Sequence, residues 1–153
     1  MKFSTKGRYG LRAMLDIALR QEHGPVAINA ISERENISGR YLEQLLIPLK
    51  QAGLVQSIRG AQGGYILAKS ASDITVGDII RVLEGPIAPV HCVSEIEPEN
   101  CDRAGYCVTR PVWSRLRDSI SAVLDSFTLE DLVKESLEEK KTVAISSKRV
   151  DKP

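Results

Sequence analysis

Three cysteines, Cys92, Cys101 and Cys107, lie within one short stretch of this 153-residue chain, which contains no others. Their spacing is C-x8-C-x5-C, and the residues around them are rich in turn formers and poor in large apolar side chains. Thiolates are ligands for zinc and for iron–sulfur clusters. The stretch therefore predicts a metal or cluster site, although residue types alone do not distinguish the two cofactors and free thiols remain possible.

The elements that precede the cysteines follow a recognisable order. Apolar residues at i, i+3, i+4 and i+7 predict helices over residues 5–22 and 39–52, with a shorter helix over 27–36 between them. Two β-prone runs, 54–58 and 65–67, flank a glycine-rich segment and predict a hairpin. This order is typical of a winged helix-turn-helix, in which the third helix enters the major groove of DNA and the hairpin is the wing.

The elements that follow the hairpin include a helix that needs a partner. Thr75 is a predicted N-cap, and the helix after it ends at Gly85 and Pro86. A long helix over 111–127 carries one apolar stripe, which a lone helix cannot bury. The stripe consists of Val112, Leu116, Ile120, Val123 and Phe127. A further helix is predicted from Thr128 to about Glu139.

The predicted fold class is mainly α with a small β-hairpin. We expect a winged helix-turn-helix DNA-binding domain over residues 1–84, followed by a cysteine-bearing cofactor loop over 85–109. Dimerisation helices are expected over 110–140. Residues 141–153 carry four Lys+Arg and no core-forming pattern, which predicts a disordered basic tail.

The third predicted helix carries polar residues suited to reading bases. Ser38 caps it, and Arg40, Tyr41, Glu43 and Gln44 lie near its N-terminal end. A carboxylate facing phosphates is unfavourable, so Glu43 makes sense if it accepts a hydrogen bond from cytosine N4, while Gln44 could pair with adenine. Ser38 and Tyr41 could contact phosphates. Alternatively, Arg40 and Glu43 form a solvated ion pair.

The predicted wing and the charge distribution also favour DNA. Arg59, next to Gly60 in the hairpin, is placed to enter a narrow A·T-rich minor groove, or else is an ordinary surface arginine. Residues 1–70 hold 10 Lys+Arg against 5 Asp+Glu, a balance of +5, whereas residues 71–140 hold 7 against 14, a balance of −7. A basic first half fits contact with phosphates.

Composition and spacing argue against other classes of protein. No apolar run approaches the roughly 20 residues that span a bilayer, and the N-terminus lacks the core of a signal peptide. We therefore expect a cytoplasmic protein with reduced thiols and no membrane contact. His23 and His91 have no nucleophile or acid–base partner by spacing, so an enzyme is not expected.

Taken together, the motifs resemble the IscR (iron-sulfur cluster regulator) family of bacterial winged-helix repressors over about residues 1–140. This family also includes nitric-oxide-sensing and cysteine-metabolism regulators. The matching segments are Met1–Tyr9, Ile31–Arg34 with Ser38, Tyr41–Leu45, Gly53–Val55, Arg59–Gly60 with Gly63–Tyr65, and the three cysteines.

The resemblance implies a homodimer, paired through the helix at 111–127, that binds a pseudo-palindromic operator in double-stranded DNA. It implies base contacts by Glu43 and its neighbours and minor-groove contact by Arg59. It also implies a [2Fe-2S] cluster on the three cysteines, whose occupancy selects promoters and regulates the genes of iron–sulfur cluster assembly.

Two features depart from the family pattern. The interval between Cys92 and Cys101 is longer than in the type member, and Arg110 stands where that member has a histidine ligand. Arginine stays protonated and does not serve as a ligand. The nearest candidate for the fourth ligand is His91, followed by Asp102, a glutamate within 95–99, or a residue of a partner subunit. A regulator responding to cysteine, nitric oxide or redox state, or a repressor stabilised by zinc or controlled by a partner protein, remains an alternative.

Overall fold

A computed structural model describes residues 2–150 and, among these, the side chains of residues 2–146. This part of the chain forms six α-helices and one antiparallel hairpin, which confirms the predicted fold class. The helices are α1 (Thr5–Arg20), α2 (Ile28–Glu35), α3 (Gly39–Gln51), α4 (Val76–Glu84), α5 (Arg110–Ser126) and α6 (Leu129–Val150), and the strands are β1 (Val55–Ile58) and β2 (Gly64–Leu67). None of the described helices is long and apolar enough to cross a membrane.

Helix α3 has the predicted amphipathic pattern. Leu42, Leu45, Leu46 and Leu49 are all buried on one face. The hydroxyl of Ser38 accepts a hydrogen bond from the Tyr41 amide and caps the helix. This burial orients α3, because its apolar face must meet the core while the opposite face remains in solvent.

The hairpin is joined to the start of α2 as well as to itself. β1 and β2 pair from Val55 opposite Leu67 to Ile58 opposite Gly64. The Val26 amide donates to the Tyr65 carbonyl and the Tyr65 amide donates to the Val26 carbonyl, both at 2.9 Å. Gly64 is required at this crossing, because a Cβ there would lie 2.4 Å from the Val26 carbonyl oxygen.

Helix α4 packs tightly against α1. A Cβ on Gly10 would lie 2.0 Å from Cδ1 of Leu83, and a Cβ on Gly7 would lie 2.7 Å from Oε1 of Glu84. Glu84 also accepts hydrogen bonds from the amide and hydroxyl of Ser4 and from the amide of Gly7. The carboxylate therefore fixes the first turn of α1 to the end of α4, and these contacts keep the pKa of Glu84 below its ordinary value although burial acts against them.

The buried face of α1 differs from the one that its sequence suggests. The periodicity points to Leu11, Met14, Leu15 and Ala18. In the structure Met14 is fully buried together with Ala13 and Ile17, whereas the other three are only partly covered. The buried face also contains Gly7 and Gly10, which pack against α4, and a charged residue, Asp16.

Asp16 is stabilised in the core by two arginines. Arg34 of α2 donates to both carboxylate oxygens, at 2.8 and 2.7 Å, and Arg20 donates to Oδ1 at 3.0 Å. Burial raises the pKa of Asp16, but the hydrogen bonds and charges of Arg34 and Arg20 outweigh it and hold the pKa below 3.8. The carboxylate is therefore ionised at neutral pH and connects α1 to α2.

Helix α6 is longer than the sequence suggests. The predicted end near Glu139 and the predicted disorder from residue 141 do not match the structure, in which the helix continues to Val150. The chain has no glycine or proline between residues 112 and 152 to end a helix. The last part of the predicted tail, residues 151–153, lies outside the described residues.

Replacing Asp16 with asparagine should destabilise the fold. The Asp16→Asn variant leaves Arg34 without its anionic partner, and breaking such a buried pair costs about 3 kcal/mol. Urea unfolding measures the decrease in the free energy of unfolding. Asp118→Asn is the matched control, because Asp118 pairs with Arg117 at an exposed site and should cost less than about 1 kcal/mol. If the free energy of unfolding fell equally in the two variants, the buried pair would contribute no more to stability than the exposed one.

The contribution of Asp16 should also depend on pH in a defined direction. Because the folded-state pKa lies below 3.8, the ionised carboxylate contributes its full stabilisation above that pH and loses it as the pH falls through the folded-state value. The difference between the wild type and Asp16→Asn should therefore be constant near neutrality and shrink below pH 3.8. A difference that grows with acidity would contradict this assignment.

Candidate DNA-binding surface and cysteine loop

The N-terminal part of α3 presents polar side chains to solvent. Arg40, Glu43 and Gln44 are exposed. Within the part of the chain that the structure describes, none of these three side chains forms a hydrogen bond or an ion pair, so Arg40 and Glu43 do not pair with each other. Three unpaired polar groups at the start of one helix form a surface that can bind a polar partner.

Tyr41 connects α3 to α1 rather than pointing wholly into solvent. Its hydroxyl lies 3.0 Å from the Thr5 hydroxyl. Its ring packs edge to face against Tyr9, with centroids 6.1 Å apart. The guanidinium groups of Arg8 and Arg12 lie over the Tyr9 ring, 5.9 and 5.5 Å from its centroid. Sequence patterns do not point to Thr5 or Tyr9, because contacts between helices that are distant along the chain leave no local signal.

The wing lies beside α3 and is fixed to it. Lys50 at the end of α3 donates to the Ser57 hydroxyl of β1 at 2.7 Å. Arg59 and Gly60 are exposed in the turn, where Gly60 has a φ of 119° that favours glycine. Among the described residues, the Arg59 side chain has no hydrogen-bonding or ionic partner. The structure thus leaves Arg59 available at the tip of a supported hairpin.

The cysteine loop is organised around Arg110. The Arg110 amide donates to the Cys107 carbonyl at 3.3 Å, and its guanidinium donates to the Cys92 carbonyl at a long 3.5 Å. Cys92 and Cys107 are half-buried, while Cys101 lies on an exposed turn. Within residues 2–146, three or more His, Cys, Asp or Glu side chains do not gather anywhere as a group that could hold a metal.

Cys107 lies in polar surroundings. Its sulfur is 3.2 Å from the Thr109 hydroxyl, and this hydrogen bond, together with the amides of Thr109 and Arg110, lowers the pKa of the thiol. A cavity of roughly 620 Å³ adjoins it, with Arg110 and Arg115 in its lining. The hydrogen bonds, together with the positive charge of Arg103, favour the thiolate, which is the form that binds metals.

The candidate fourth ligands do not converge on the cysteines. His91 is exposed, and its Nδ1 lies 3.9 Å from a carboxylate oxygen of Glu99. Asp102 is exposed on the turn that follows Cys101. Glu95 is already bound to Arg81, whose hydrogen bonds lower the pKa of that carboxyl to about 2.

The chemistry of the loop nevertheless fits a thiolate-bound cofactor. Cys92, Cys101 and Cys107 supply three donors of the type that clusters and zinc require. Among the described residues, the buried Nε of Arg110 has no hydrogen-bonding partner, at the point where this residue joins Cys92 to Cys107. A buried cationic N–H without an acceptor is costly, and an anionic centre near these thiols would relieve that cost.

Most of the apolar stripe of α5 is left uncovered by the rest of the described chain. Val112, Leu116, Val123 and Phe127 are exposed. Ile120, the remaining member of the stripe, is partly covered, because it packs with Leu124 against the buried Val76, Ile80 and Ile87. A cavity of roughly 330 Å³ lies along α5 and is closed at one side by Phe3.

Comparison with known proteins identifies the family. The family model for Rrf2, described as an iron-dependent transcriptional regulator, matches residues 3–135. The HTH-type transcriptional regulator CymR of Bacillus subtilis (strain 168) is 52% identical over 132 residues, which are 86% of this chain and 89% of CymR.

Solved structures agree with this result. The structure of CymR, described as the global cysteine regulator of B. subtilis, has a TM-score of 0.73 and 50% identity, covering 88% of this chain and 98% of that one. The structure of T. potens IscR has a TM-score of 0.73 and 48% identity, covering 89% of this chain and 88% of that one. These neighbours confirm the fold and the resemblance. The chain therefore belongs to the Rrf2 family and is a DNA-binding transcriptional regulator rather than an enzyme.

Proposed function

We propose that this regulator is a cytoplasmic homodimer that binds a pseudo-palindromic operator and is controlled by a [2Fe-2S] cluster on Cys92, Cys101 and Cys107. Its target genes would be those of iron–sulfur cluster assembly. The observation that supports DNA reading best is the set of unpaired polar side chains at the start of α3, beside the unpaired Arg59 of the wing.

The two DNA contacts would have different roles. Helix α3 would read base edges in the major groove through Arg40, Glu43 and Gln44, since the N-terminal residues of a recognition helix face the bases. Glu43 would accept a hydrogen bond from cytosine N4. Ser38 and the Tyr41 hydroxyl lie at the same end of the helix, where phosphates would pass. Arg59, with Gly60 allowing close approach, would enter the minor groove.

The dimer would form through α5. Its exposed stripe is an apolar surface on a helix that the rest of the described chain does not cover, and such surfaces mark interfaces in proteins of this size. A second copy presents the same stripe, so a two-fold arrangement buries both at once. Two recognition helices then face two half-sites, which explains why a symmetric operator is expected.

The cysteine loop would supply the regulatory input. When bound, a [2Fe-2S] cluster supplies one-electron redox chemistry and a net negative charge at this loop. Three thiolates from the chain would hold it, and Arg110 would donate its buried N–H toward the anionic site. His91, Asp102, the other glutamates within 95–99 and residues of a partner subunit remain candidates for the fourth ligand, whereas Glu95 is already paired with Arg81.

A second candidate is a regulator of cysteine metabolism. It is favoured by the 52% identity to CymR and by the presence of Arg110 where the type member of the IscR group has a ligand. In that case the loop would respond to another signal, such as a partner protein, zinc, nitric oxide or thiol oxidation. Iron and acid-labile sulfide in anaerobically purified protein distinguish the two candidates directly.

The Glu43→Ala variant should relax base preference more than it weakens binding. Loss of the hydrogen bond to cytosine should reduce discrimination at one operator position by about 1–3 kcal/mol, while affinity for unrelated DNA should hold or rise because a negative charge is removed. Binding titrations against a set of single-base operator variants measure this. The control is Glu138→Ala on α6, which should change neither quantity. A uniform loss on every sequence would assign Glu43 a structural role only.

The Val123→Glu variant should produce a monomer. Burying a carboxylate in the apolar α5 interface is unfavourable, so sedimentation equilibrium should show a single-chain mass at concentrations where the wild type is dimeric. Val108→Glu is the matched control, since Val108 is highly exposed in the cysteine loop, and it should stay dimeric. A dimeric Val123→Glu variant would place the interface elsewhere.

The Cys92→Ala variant should lose the visible absorption expected of the wild type after anaerobic purification. Removing one thiolate destabilises the cluster, whereas far-ultraviolet circular dichroism should be unchanged because the loop has little regular structure. His91→Ala, measured in parallel, should alter the spectrum only if the imidazole is a ligand. Wild-type protein without iron and sulfide would exclude cluster control and favour the second candidate.

A further inference from the structure

Glu95, which follows Cys92 by three residues, connects the cysteine loop to α4 and α5 and to an earlier residue of the loop itself. Its carboxylate accepts two hydrogen bonds from the Arg81 guanidinium of α4, both at 2.9 Å. It also accepts from the Ile87 amide at 3.0 Å and from the Ser121 hydroxyl of α5. The Glu95 amide in turn donates to the Ile87 carbonyl. The chain from 87 to 95, which contains Cys92, is thus closed into a ring.

Arg81 is shared between this ring and α5. Its guanidinium donates to both carboxylate oxygens of Asp125, at 2.6 and 3.0 Å. Gly77 permits the approach, because a Cβ there would lie 1.8 Å from an oxygen of Asp125. Arg117 of α5 also holds the ring, by donating to the Val93 carbonyl at 3.0 Å. Displacement of the ring must therefore break contacts to α4 and α5.

Helix α4 continues the connection toward α3. One turn after Arg81, Glu84 holds Ser4 and Gly7 of α1. The next residue of that turn, Thr5, contacts the Tyr41 hydroxyl near the start of α3. Side-chain contacts at Arg81, Glu84 and Thr5, linked through the backbone of α4 and of the first turn of α1, therefore connect the residues around Cys92 to the helix that carries Glu43.

We propose that Glu95 is a positioning residue which, through its two-pronged contact with Arg81, transmits the state of the cysteine loop to α4 and so to the DNA-reading end of α3. This proposal rests on the proposed function, in which the loop receives the signal. Glu95 was a candidate ligand by sequence, and its contacts give it a different role. With all of its bonds directed at Arg81, Ile87 and Ser121, it holds the ring around Cys92 in place.

The test compares Glu95→Gln with the wild type. Glutamine keeps the shape of the side chain but loses the charge that pairs with Arg81. Operator affinity is measured for anaerobic cluster-loaded protein and for protein freed of iron by a chelator. Couplings between sites typically change affinity roughly 5- to 150-fold, and in Glu95→Gln we expect the ratio of the two affinities to fall to within about twofold of unity. Cluster content and absorbance should remain those of the wild type.

The matched control is Asp125→Asn, which removes the other carboxylate partner of Arg81 without touching the loop, and which should keep the wild-type ratio. A wild-type ratio in Glu95→Gln, or an equal loss of ratio in both variants, would overturn the proposal. If Glu95→Gln does not fold, Arg81→Lys is measured instead. It retains the positive charge without the two-pronged geometry and should also lower the ratio.

Amide hydrogen exchange tests the coupling between the cysteine loop and α4 in the absence of any cofactor. In Glu95→Gln, exchange should rise in the loop and also in α4 and the first turn of α1. A rise confined to residues 86–95 would overturn the proposal. Failure of the proposed function is seen separately, because wild-type protein would then contain no cluster and show no dependence on iron removal.

Discussion

The close approach of α4 to its neighbours is the constraint on which the arrangement of this molecule depends. Gly7 and Gly10 let α4 contact α1, and Gly77 lets an aspartate of α5 lie against α4. Side chains larger than hydrogen at these points would separate the helices by displacing buried or paired groups. The first turns of α1 and the helix that follows the cysteine loop are therefore held together by one short helix in direct contact with both.

Two clusters built on arginine complete this arrangement. Asp16 with Arg20 and Arg34 fixes α1 to α2, and Arg81 with Glu95 and Asp125 fixes α4 to the loop and to α5. The planar guanidinium suits such sites because it donates to two carboxylate oxygens at once. In each cluster, opposite charges and hydrogen bonds compensate the cost of removing a charge from water.

Much of the fold was accessible from the sequence, because apolar periodicity and turn residues determine helices locally. The four leucines of α3 and the glycine-flanked hairpin are examples, and both were predicted close to their observed positions. The roles of Asp16 and Glu95 were not, since their main partners, Arg34 and Arg81, lie on other elements and leave no local pattern. The continuation of α6 was not predicted, because a polar, charged sequence without a core-forming pattern predicts disorder. The same sequence has no glycine or proline that would end a helix.

The candidate site was predictable by residue type but not by arrangement. The polar face of α3 follows from the burial of its opposite face, so Arg40, Glu43 and Gln44 had to be exposed. Tyr41 is different, because its hydroxyl is directed at Thr5 by the packing of α1, which no spacing reveals. Cys92, Cys101 and Cys107 lie on a loop with little regular structure, so their spacing along the chain does not determine their separation in space.

The paired hydrogen bonds between Val26 and Tyr65 have a mechanical consequence. They attach the hairpin to the residues just before α2, and Lys50 attaches it to α3. The start of α3 and the tip of the hairpin, which are the two proposed DNA contacts, therefore lie at a set separation. Because this separation is fixed in the protein, the DNA must deform to match it. Operators with easily unstacked pyrimidine–purine steps between the contacted grooves would then bind at a smaller elastic cost than stiff sequences with the same contacted bases.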